Sequence, residues 1–440
     1  MNPIILLQLK DDWLKKRSEL SKKRPPRRYL HFDKPILTLK RSVTDKVTDP
    51  DFISKHSFFP LIKDPKSARL YRKDPVTGAK KIEWKERPIS YPSHFDSLVY
   101  SWYAYLIEHT YEERLKTAGL NESVIAYRKL NKSNVDFAAE VFKFVTEKTE
   151  CVTIALDIKG FYDNLDSKEL KNAWKVNFEF NDIPTDHYKV FKSITSFSYV
   201  RLREISKLLK LNSTSYRKST LFFDADVLDL LRKSRKIKTN KTKGIPQGTP
   251  ISCVLSNLYM FNFDQAILEK VKAFGGMYRR YSDDIVMICP KENLDELKGF
   301  AESEIGKLKL EIQKSKTEIR YFSTTDGKIS CKNEKGKDSK LQYLGIEFDG
   351  MRTLVRHKSY ARFERRMKKA ILRKKSAAEK YKTPLFKKQI YESFSPLGKR
   401  NYVTYAKGAV DKLKGLSTEG ILKQVGTNRI LKKINKKIKN

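Results

Sequence analysis

The sequence is poor in cysteine and has no long apolar segment. Its four cysteines, Cys151, Cys253, Cys289 and Cys331, lie far apart and form no C-x-x-C pair. This spacing argues against a disulfide framework or a structural zinc site, and it is typical of a reducing compartment. The apolar run at residues 3–9 is too short to cross a membrane, and no other stretch approaches about 18 consecutive apolar residues. We therefore expect a soluble, cytoplasmic protein with no membrane partner and no targeting segment.

Acidic residues are also scarce relative to basic ones. The 440 residues include 92 Lys and Arg against 52 Asp and Glu, which gives a formal net charge of +40. Residues 351–440 alone contain 27 basic and 5 acidic residues. Because neutralising phosphates releases counterions, nucleic acid is the expected partner of such a chain. The alternative is a merely lysine-rich soluble protein, but a general bias does not explain why the charge is concentrated at one end.

Two segments place carboxylates at the ends of predicted strands. Residues 151–158 form an apolar strand that carries Asp157 at its end. Residues 277–288 predict a β-hairpin with Asp283 and Asp284 at its turn. Neighbouring carboxylates repel each other unless a cation neutralises them, and oxygen ligands on a rigid scaffold suit Mg²⁺. If the segments adjoin, they could hold two ions about 3.5–4 Å apart for in-line phosphoryl transfer; the alternative is a solvated turn without chemistry.

A third segment combines two glycines and two prolines directly before a predicted helix. It reads Gly-Ile-Pro-Gln-Gly-Thr-Pro-Ile-Ser over residues 244–252, and the apolar pattern predicts a helix over 251–271. Glycine lets a backbone approach a ligand closely, so this loop could border a nucleotide. Taken alone, it would be an ordinary helix start.

In this order and spacing, the segments resemble the sequence motifs of reverse transcriptases. Residues 157–162 resemble the first catalytic motif, residues 244–252 the G-x-P-Q-G-x-x-x-S template-strand motif, and residues 281–284 the Y-x-D-D motif. The flanking segments 85–92, 308–317 and 343–346 resemble the fingers motif of bacterial reverse transcriptases, the lysine motif after the catalytic hairpin, and the primer grip. The resemblance covers roughly residues 80–350.

The resemblance implies an α+β fold of the right-hand polymerase type, with fingers, a palm sheet packed on helices, and a helical basic thumb. The boundaries it suggests are an N-terminal basic extension (1–60), fingers (61–150), the first catalytic strand of the palm (151–175), a helical insertion (176–243), the rest of the palm (244–350) and the thumb (351–440).

The resemblance also implies an RNA-directed DNA polymerase that adds dNTPs to a primer 3′-hydroxyl with two Mg²⁺ ions, for which Mn²⁺ could substitute. The implied catalytic residues are Asp157, Asp283 and Asp284, and the implied metal ligands are these three and Ile158. Tyr162 aligns with the bulky residue beneath the sugar of the incoming nucleotide, where its ring would collide with a 2′-hydroxyl. The remaining implied residues are Lys85, Arg87, Gln247 and Lys316 for nucleotide binding, and Leu344 and Gly345 for the primer grip.

The segment after the primer grip predicts the subtype. Residues 348–367 resemble the bacterial defence-associated and abortive-infection reverse transcriptases, which protect cells against phage and often copy a dedicated non-coding RNA. The expected partners are therefore a structured RNA template, the DNA product and dNTPs. A homo-oligomer or a partner protein is also compatible with the sequence.

Two alternatives remain open at this point. A retron or group II intron type retroelement enzyme is disfavoured, because the V-T-G signature of a retron thumb occurs here only at residues 76–78 and no nuclease-like acidic cluster follows Gly350. A catalytically silent RNA-binding protein with a polymerase fold is disfavoured by the intact set of three aspartates.

Overall fold

The computed structural model of the chain describes residues 3–23, 29–73, 77–210, 222–240 and 243–439. The chain divides into two compact units. Unit 1 comprises residues 1–127, 158–265 and 304–311, and unit 2 comprises residues 128–157, 266–303 and 312–440. Because each unit combines three separate stretches, neither corresponds to one continuous part of the sequence.

Helices occur in both units. In chain order they are α1 (Pro3–Lys23), α2 (Arg41–Thr48), α3 (Pro50–Lys55), α4 (His94–Thr117), α5 (Asn134–Lys148), α6 (Phe161–Asn164), α7 (Ser167–Phe178), α8 (Thr185–Thr195), α9 (Leu202–Leu208), α10 (Ala225–Lys233), α11 (Ser252–Tyr259), α12 (Phe261–Ala273), α13 (Leu294–Lys307), α14 (His357–Lys380), α15 (Lys387–Phe394), α16 (Tyr402–Lys412), α17 (Glu419–Val425) and α18 (Thr427–Lys439). Short 3₁₀ helices cover Lys291–Asn293 and Lys314–Lys316.

The strands in the described ranges form four separate sheets. In chain order they are β1 (Leu61–Lys63), β2 (Lys66–Lys73), β3 (Lys80–Arg87), β4 (Ser90–Tyr91), β5 (Cys151–Asp157), β6 (Ser198–Arg201), β7 (Lys238–Thr239), β8 (Met277–Tyr281), β9 (Asp284–Cys289), β10 (Glu318–Thr325), β11 (Lys328–Asn333), β12 (Leu341–Tyr343), β13 (Ile346–Phe348) and β14 (Thr353–Val355).

Unit 2 contains a five-stranded antiparallel sheet in the order β11-β10-β5-β9-β8. Its central strand β5 reads Cys-Val-Thr-Ile-Ala-Leu-Asp, and its residues are buried until the last positions. Such a continuous apolar run is typical of a strand whose sheet is covered on both faces. The sheet therefore holds the end of β5, where Asp157 lies, in a fixed register beside β9.

One helix of unit 2, α5, packs through an aromatic contact against strand β13. Its buried side chains Val135, Ala138, Phe142 and Val145 recur at helical spacing and form an apolar stripe. Phe142 stacks on Phe348 of β13 with ring centroids 5.0 Å apart, and Phe348 stacks on Phe322 of β10 at 6.0 Å. This aromatic contact joins the five-stranded sheet to the three-stranded sheet β12-β13-β14.

Unit 1 contains the sheet β4-β1-β6-β7 and the separate hairpin β2-β3. Strand β1 pairs with β6 in parallel, Ile62 opposite Val200, although the two residues are far apart in sequence. Both belong to a buried apolar cluster that also includes Leu30, Phe32 and Leu231. Burial of this cluster stabilises the pairing of β1 with β6, which are far apart in sequence.

The sequence-predicted elements differ from the structure in two places. The helix expected over 251–271 is interrupted at Met260, whose N–H bonds the Asn257 carbonyl in a tighter turn before α12 begins. The segment 176–243, predicted as a helical insertion, is helical in α8, α9 and α10 but also supplies β6 and β7. The predicted domain boundaries themselves remain a prediction.

The structure bears on two further expectations. None of the helices in the described ranges has the length and apolar character needed to cross a bilayer. All four cysteines are free thiols, and Cys151, Cys289 and Cys331 are buried. Strands β2 and β3 pair as an antiparallel hairpin, and residues 74–76 between them lie outside the described residues.

Candidate active site

Two of the predicted catalytic aspartates lie opposite each other in unit 2. Asp157 ends β5 and Asp284 begins β9, and the two are direct partners in the antiparallel register. Directly opposed residues project from the same face of a sheet, with Cα atoms about 4.5–5.5 Å apart. The strand pairing therefore brings together two carboxylates that are distant in sequence.

The third aspartate lies in the turn that joins β8 to β9. Ser282 and Asp283 form a two-residue hairpin loop, and Ser282 has a φ of 61°. A positive φ at the first loop position matches the twist of the flanking strands. Asp283 is half-buried directly beside Asp284, so all three aspartates lie at one end of the sheet.

A buried arginine that the sequence reasoning missed supports this turn. Arg280 is fully buried on β8, and its guanidinium donates to the carbonyl of Ser282 at 3.2 Å. A buried guanidinium is retained only where its donors are satisfied, so Arg280 stabilises the turn that carries Asp283. The available signal was the charged Arg279-Arg280 pair inside an apolar run.

Lys316, predicted to bind the nucleotide, lies beside the carboxylates. Its Nζ lies 2.6 Å from Oδ1 of Asp157. The 3₁₀ turn Lys314–Lys316 positions this ammonium, and the chain just before it is fixed because the N–H of Gln313 donates to the Asp157 carbonyl at 2.7 Å. A cation therefore contacts the carboxylate cluster directly.

The electrostatics of the cluster reflect crowding of negative charge. Asp284 is partly exposed, but the protein around its carboxyl group restricts hydration. This restricted hydration, together with repulsion from Asp283 and Asp157, raises the pKa of Asp284 to about 6. Partial burial, with repulsion from Asp157, also raises the pKa of Asp283. Lys316 and, for Asp284, Arg356 oppose these increases. The cluster thus carries more negative charge than its own cations neutralise.

The donor chemistry of the three aspartates fits Mg²⁺. The described residues contain no group of three or more His, Cys, Asp or Glu side chains that encloses a metal position. Mg²⁺ is usually bound by one or two carboxylates together with water and substrate phosphates, so an open set of oxygen donors is adequate. The excess negative charge beside Asp157, Asp283 and Asp284 is what a divalent cation would neutralise. The number and identity of the ions remain predictions.

The glycine-rich loop lies in unit 1 and is fixed at both glycines. Gly244 has a φ of 90°, and an added Cβ would lie 2.6 Å from the carbonyl oxygen of Asp163. Gly248 has a φ of 114°, and an added Cβ would lie 2.5 Å from the carbonyl oxygen of Ser90. Between them, the carbonyl of Gln247 accepts from the Ser90 N–H at 2.7 Å. Only glycine allows these close approaches, and they hold the half-buried Gln247 in place.

Tyr162 lies beside this loop in unit 1. Its carbonyl accepts from the N–H of Ile245 at 2.8 Å, and its half-buried ring is in edge contact with Phe161 at 5.6 Å. The Tyr162 hydroxyl donates to the hydroxyl of Tyr127 at 3.1 Å. Burial is the main cause that raises the pKa of Tyr162, so its phenol stays neutral. Ile158, the other predicted metal ligand, follows Asp157 directly and its side chain is buried.

The remaining predicted residues lie on two hairpins. In unit 1, Lys85 and Arg87 are exposed on one face of β3, and Lys66 lies opposite Arg87 on β2. In unit 2, Leu344 (φ 44°) and Gly345 (φ 92°) form the two-residue turn between β12 and β13. Two positive φ values in succession identify a type I′ turn, which explains the glycine. The structure thus groups Asp157, Asp283, Asp284 and Lys316, while the roles of all these residues remain predictions.

Comparison with known proteins identifies the family. Residues 107–348 match the sequence profile described as reverse transcriptase (RNA-dependent DNA polymerase). Because the match covers more than half of the 440 residues, the chain belongs to the reverse transcriptase family. This confirms the predicted membership of the reverse transcriptase family and the α+β right-hand polymerase fold.

Several solved structures are similar to the chain at low identity. Apo telomerase from Candida tropicalis is 12% identical with a TM-score of 0.43, over 99% of this chain and 64% of that one. Its form truncated from the C-terminal domain is 14% identical, with a TM-score of 0.38 over 66% and 55% of the two chains. Telomerase from Candida albicans, in complex with the TWJ fragment of telomeric RNA, is 10% identical, with a TM-score of 0.37 over 98% and 65%. The chain thus spans between 55% and 65% of the length of these structures. Sequence identities and TM-scores this low carry no conclusion about function. No curated protein matches the sequence.

Proposed function

We propose that this chain copies RNA into DNA at the carboxylate cluster of unit 2. The observation that carries the proposal is the direct pairing of Asp157 with Asp284 on adjacent strands, with Asp283 in the adjoining turn and Lys316 in contact with Asp157. A reverse transcriptase needs carboxylates at such a position because they hold the cations that neutralise its anionic nucleotide substrate and the departing pyrophosphate.

The chemistry follows from what these residues can do. The primer 3′-hydroxyl gives up its proton to water and forms a P–O bond to the α-phosphorus of a dNTP, while the bond from that phosphorus to the leaving pyrophosphate breaks in line with the attack. Two bound Mg²⁺ ions, held by Asp157, Asp283 and Asp284, would stabilise the attacking and leaving oxygens. The register of β5 and β9 keeps the carboxylates in place before substrate arrives, so little reorganisation is required. With ions bound to Asp157, Lys316 would be available as a phosphate contact or proton donor.

The residues of unit 1 supply nucleotide recognition in this proposal. Arg87 and Lys85, which share one face of the β2-β3 hairpin, contact the triphosphate. Gln247, fixed through its backbone to Ser90, supports the base and template pocket. Tyr162 excludes a 2′-hydroxyl and so favours dNTPs over rNTPs.

The chemistry is tested by primer extension with Mg²⁺ on oligo(dT) annealed to poly(rA). The Asp283→Asn/Asp284→Asn variant removes two charges and keeps side-chain size, and we expect it to reduce dTTP incorporation by at least a thousandfold. Asp11→Asn/Asp12→Asn, an exposed adjacent pair on α1, is the matched control and should retain wild-type activity. If both double variants retain wild-type activity, the chemistry does not occur at the carboxylate cluster.

We further propose that the template is a dedicated, structured non-coding RNA and that the enzyme acts in antiphage defence in the bacterial cytoplasm. Support comes from the resemblance of residues 348–367 to defence enzymes and from the charge of α14. On that helix Tyr360, Phe363, Met367 and Ile371 are buried. The opposite surface carries exposed cations, namely Arg362, Arg365, Arg366, Lys368, Lys369 and Arg373. A basic helix of this kind fits an RNA backbone.

Sequencing the nucleic acid that co-purifies with the protein tests this second proposal. One dominant RNA species, together with phage resistance that is lost in Asp283→Asn/Asp284→Asn cells, is the expected result. A retron RNA or an intron RNA would instead assign the chain to a retroelement. Phage resistance that survives the double substitution would indicate an RNA-binding protein whose chemistry is not used.

A further inference from the structure

A tyrosine outside the recognised motifs contacts the proposed sugar-selecting residue. Tyr127 lies between α4 and α5, and its hydroxyl accepts a hydrogen bond from that of Tyr162 at 3.1 Å. Two other groups approach the Tyr162 hydroxyl less closely, namely the Ser256 hydroxyl at 3.4 Å and the Cys253 sulfur at 4.0 Å. The Ser256 hydroxyl also donates to the Cys253 carbonyl at 2.8 Å, so its bond to Tyr162 is shared. Tyr127 therefore provides the best hydrogen bond at the tip of the Tyr162 ring.

The backbone around Tyr127 is held in a constrained conformation. Tyr127 has a φ of 63°, which L-residues other than Asn, Asp and Gly rarely adopt. The preceding carbonyl, that of the fully buried Ala126, accepts from the side-chain amide of Asn257 at 2.9 Å. Asn257 lies on α11, and its own carbonyl accepts from the Tyr111 hydroxyl at 3.2 Å. A strained residue that buried polar groups hold in place is a candidate for a functional role.

These contacts define what Tyr127 can do. A tyrosine ring that blocks a 2′-hydroxyl is effective only if it cannot rotate away when a ribonucleotide enters. The Tyr127 hydroxyl opposes such rotation because moving the Tyr162 ring breaks their hydrogen bond. Tyr127 itself is 44% exposed, so removal of its hydroxyl leaves no buried cavity.

We infer that Tyr127 is a positioning residue for sugar selection, which holds the Tyr162 ring against the 2′-hydroxyl of an incoming ribonucleotide. The inference rests on the proposed polymerase function and on the proposed role of Tyr162. A hydrogen bond of this type corresponds to about a two- to tenfold change in an equilibrium or rate constant.

The test measures kcat/KM for dTTP and for UTP on oligo(dT) annealed to poly(rA). We expect Tyr127→Phe to lower the dTTP-to-UTP ratio about two- to tenfold, mainly through better use of UTP. Tyr162→Phe removes the same hydrogen bond from the other side and should lower the ratio similarly. The double variant should add little to the effect of Tyr162→Phe alone, because that substitution already removes the hydrogen bond between Tyr162 and Tyr127. Tyr188→Phe, which is also 44% exposed, is the matched control and should keep the wild-type ratio.

Tyr162→Ala separates failure of this inference from failure of the proposed function. If Tyr162→Ala raises UTP use while Tyr127→Phe and Tyr162→Phe keep the wild-type ratio, Tyr162 selects the sugar without help from Tyr127 and the inference is wrong. If Tyr162→Ala also keeps the ratio, the sugar-selecting role of Tyr162 is wrong and the inference falls with it. A parallel loss of dTTP and UTP use in Tyr127→Phe, together with a lower melting temperature, would show a purely structural role and would likewise overturn the inference.

Discussion

Substitution of Gly248 by alanine tests the geometry of the glycine-rich loop. The residue has a φ of 114°, and an added Cβ would lie 2.5 Å from the Ser90 carbonyl oxygen and 3.1 Å from the Ile89 side chain. The first contact is with backbone and cannot be relieved by a side-chain rotation. The loop must therefore move away from Ser90, or the residue must change its φ.

The cost can be worked out from these contacts. Holding a non-glycine residue at this φ costs about 1–3 kcal/mol. Separation of Gln247 from Ser90 loses a 2.7 Å hydrogen bond, which contributes about 1 kcal/mol. We expect Gly248→Ala to lower the free energy of unfolding by about 2–4 kcal/mol, measured by urea denaturation. Displacement of Gln247 should also raise the KM for dTTP.

Gly306 provides the matched control. It lies exposed within α13, and nothing would lie within 4 Å of an added Cβ. Gly306→Ala should therefore raise the free energy of unfolding by about 0.5–1 kcal/mol, because alanine is the better helix former. A Gly248→Ala protein within about 0.5 kcal/mol of wild type, with an unchanged KM for dTTP, would refute the reasoning.

Two further predictions concern charged groups. Burial lowers the pKa of His31 to about 4, below the 6.5 of an ordinary histidine. Between pH 6.5 and pH 4 the unfolded chain therefore binds more protons at this residue than the folded chain does. The free energy of unfolding should consequently fall by about 2 kcal/mol from pH 7 to pH 5 because of His31. Urea midpoints should show a smaller loss in His31→Gln than in wild type or in exposed His357→Gln, and equal losses would contradict this account. Lys316→Met removes the ammonium 2.6 Å from Asp157. An ion pair of this kind is worth about 0.5–1 kcal/mol, so calorimetry should show Mn²⁺ binding about two- to fivefold tighter. Exposed Lys314→Met should bind like wild type, and the same affinity in both variants would show that Lys316 does not compete with the metal.

The sequence predicted the elements that depend on local patterns. The apolar runs on either side of Asp283 lie so close together that only a tight hairpin connects them, and β8 and β9 confirm this. The apolar run that ends at Asp157 predicted β5, because a short apolar segment is typical of a buried strand. The sequence analysis could state their pairing only as a condition, because no local pattern records which strands are neighbours.

Other features depend on distant contacts and could not be predicted. The parallel pairing of Ile62 with Val200 depends on the buried cluster around β1 and β6. The hydrogen bonds of Arg280 and Tyr127 depend on backbone conformations at Ser282 and at Tyr127 itself, which are left-handed in residues that rarely adopt them. A sequence pattern does not record such strain, because tertiary contacts impose it.

The most direct test of the central claim is to sequence the DNA made on a defined RNA template of mixed sequence, with a DNA primer, all four dNTPs and Mg²⁺. We predict a product complementary to the RNA from wild type and from Asp11→Asn/Asp12→Asn, and none from Asp283→Asn/Asp284→Asn. A product unrelated to the RNA sequence, or the same product from all three proteins, would contradict RNA-directed synthesis at this carboxylate cluster.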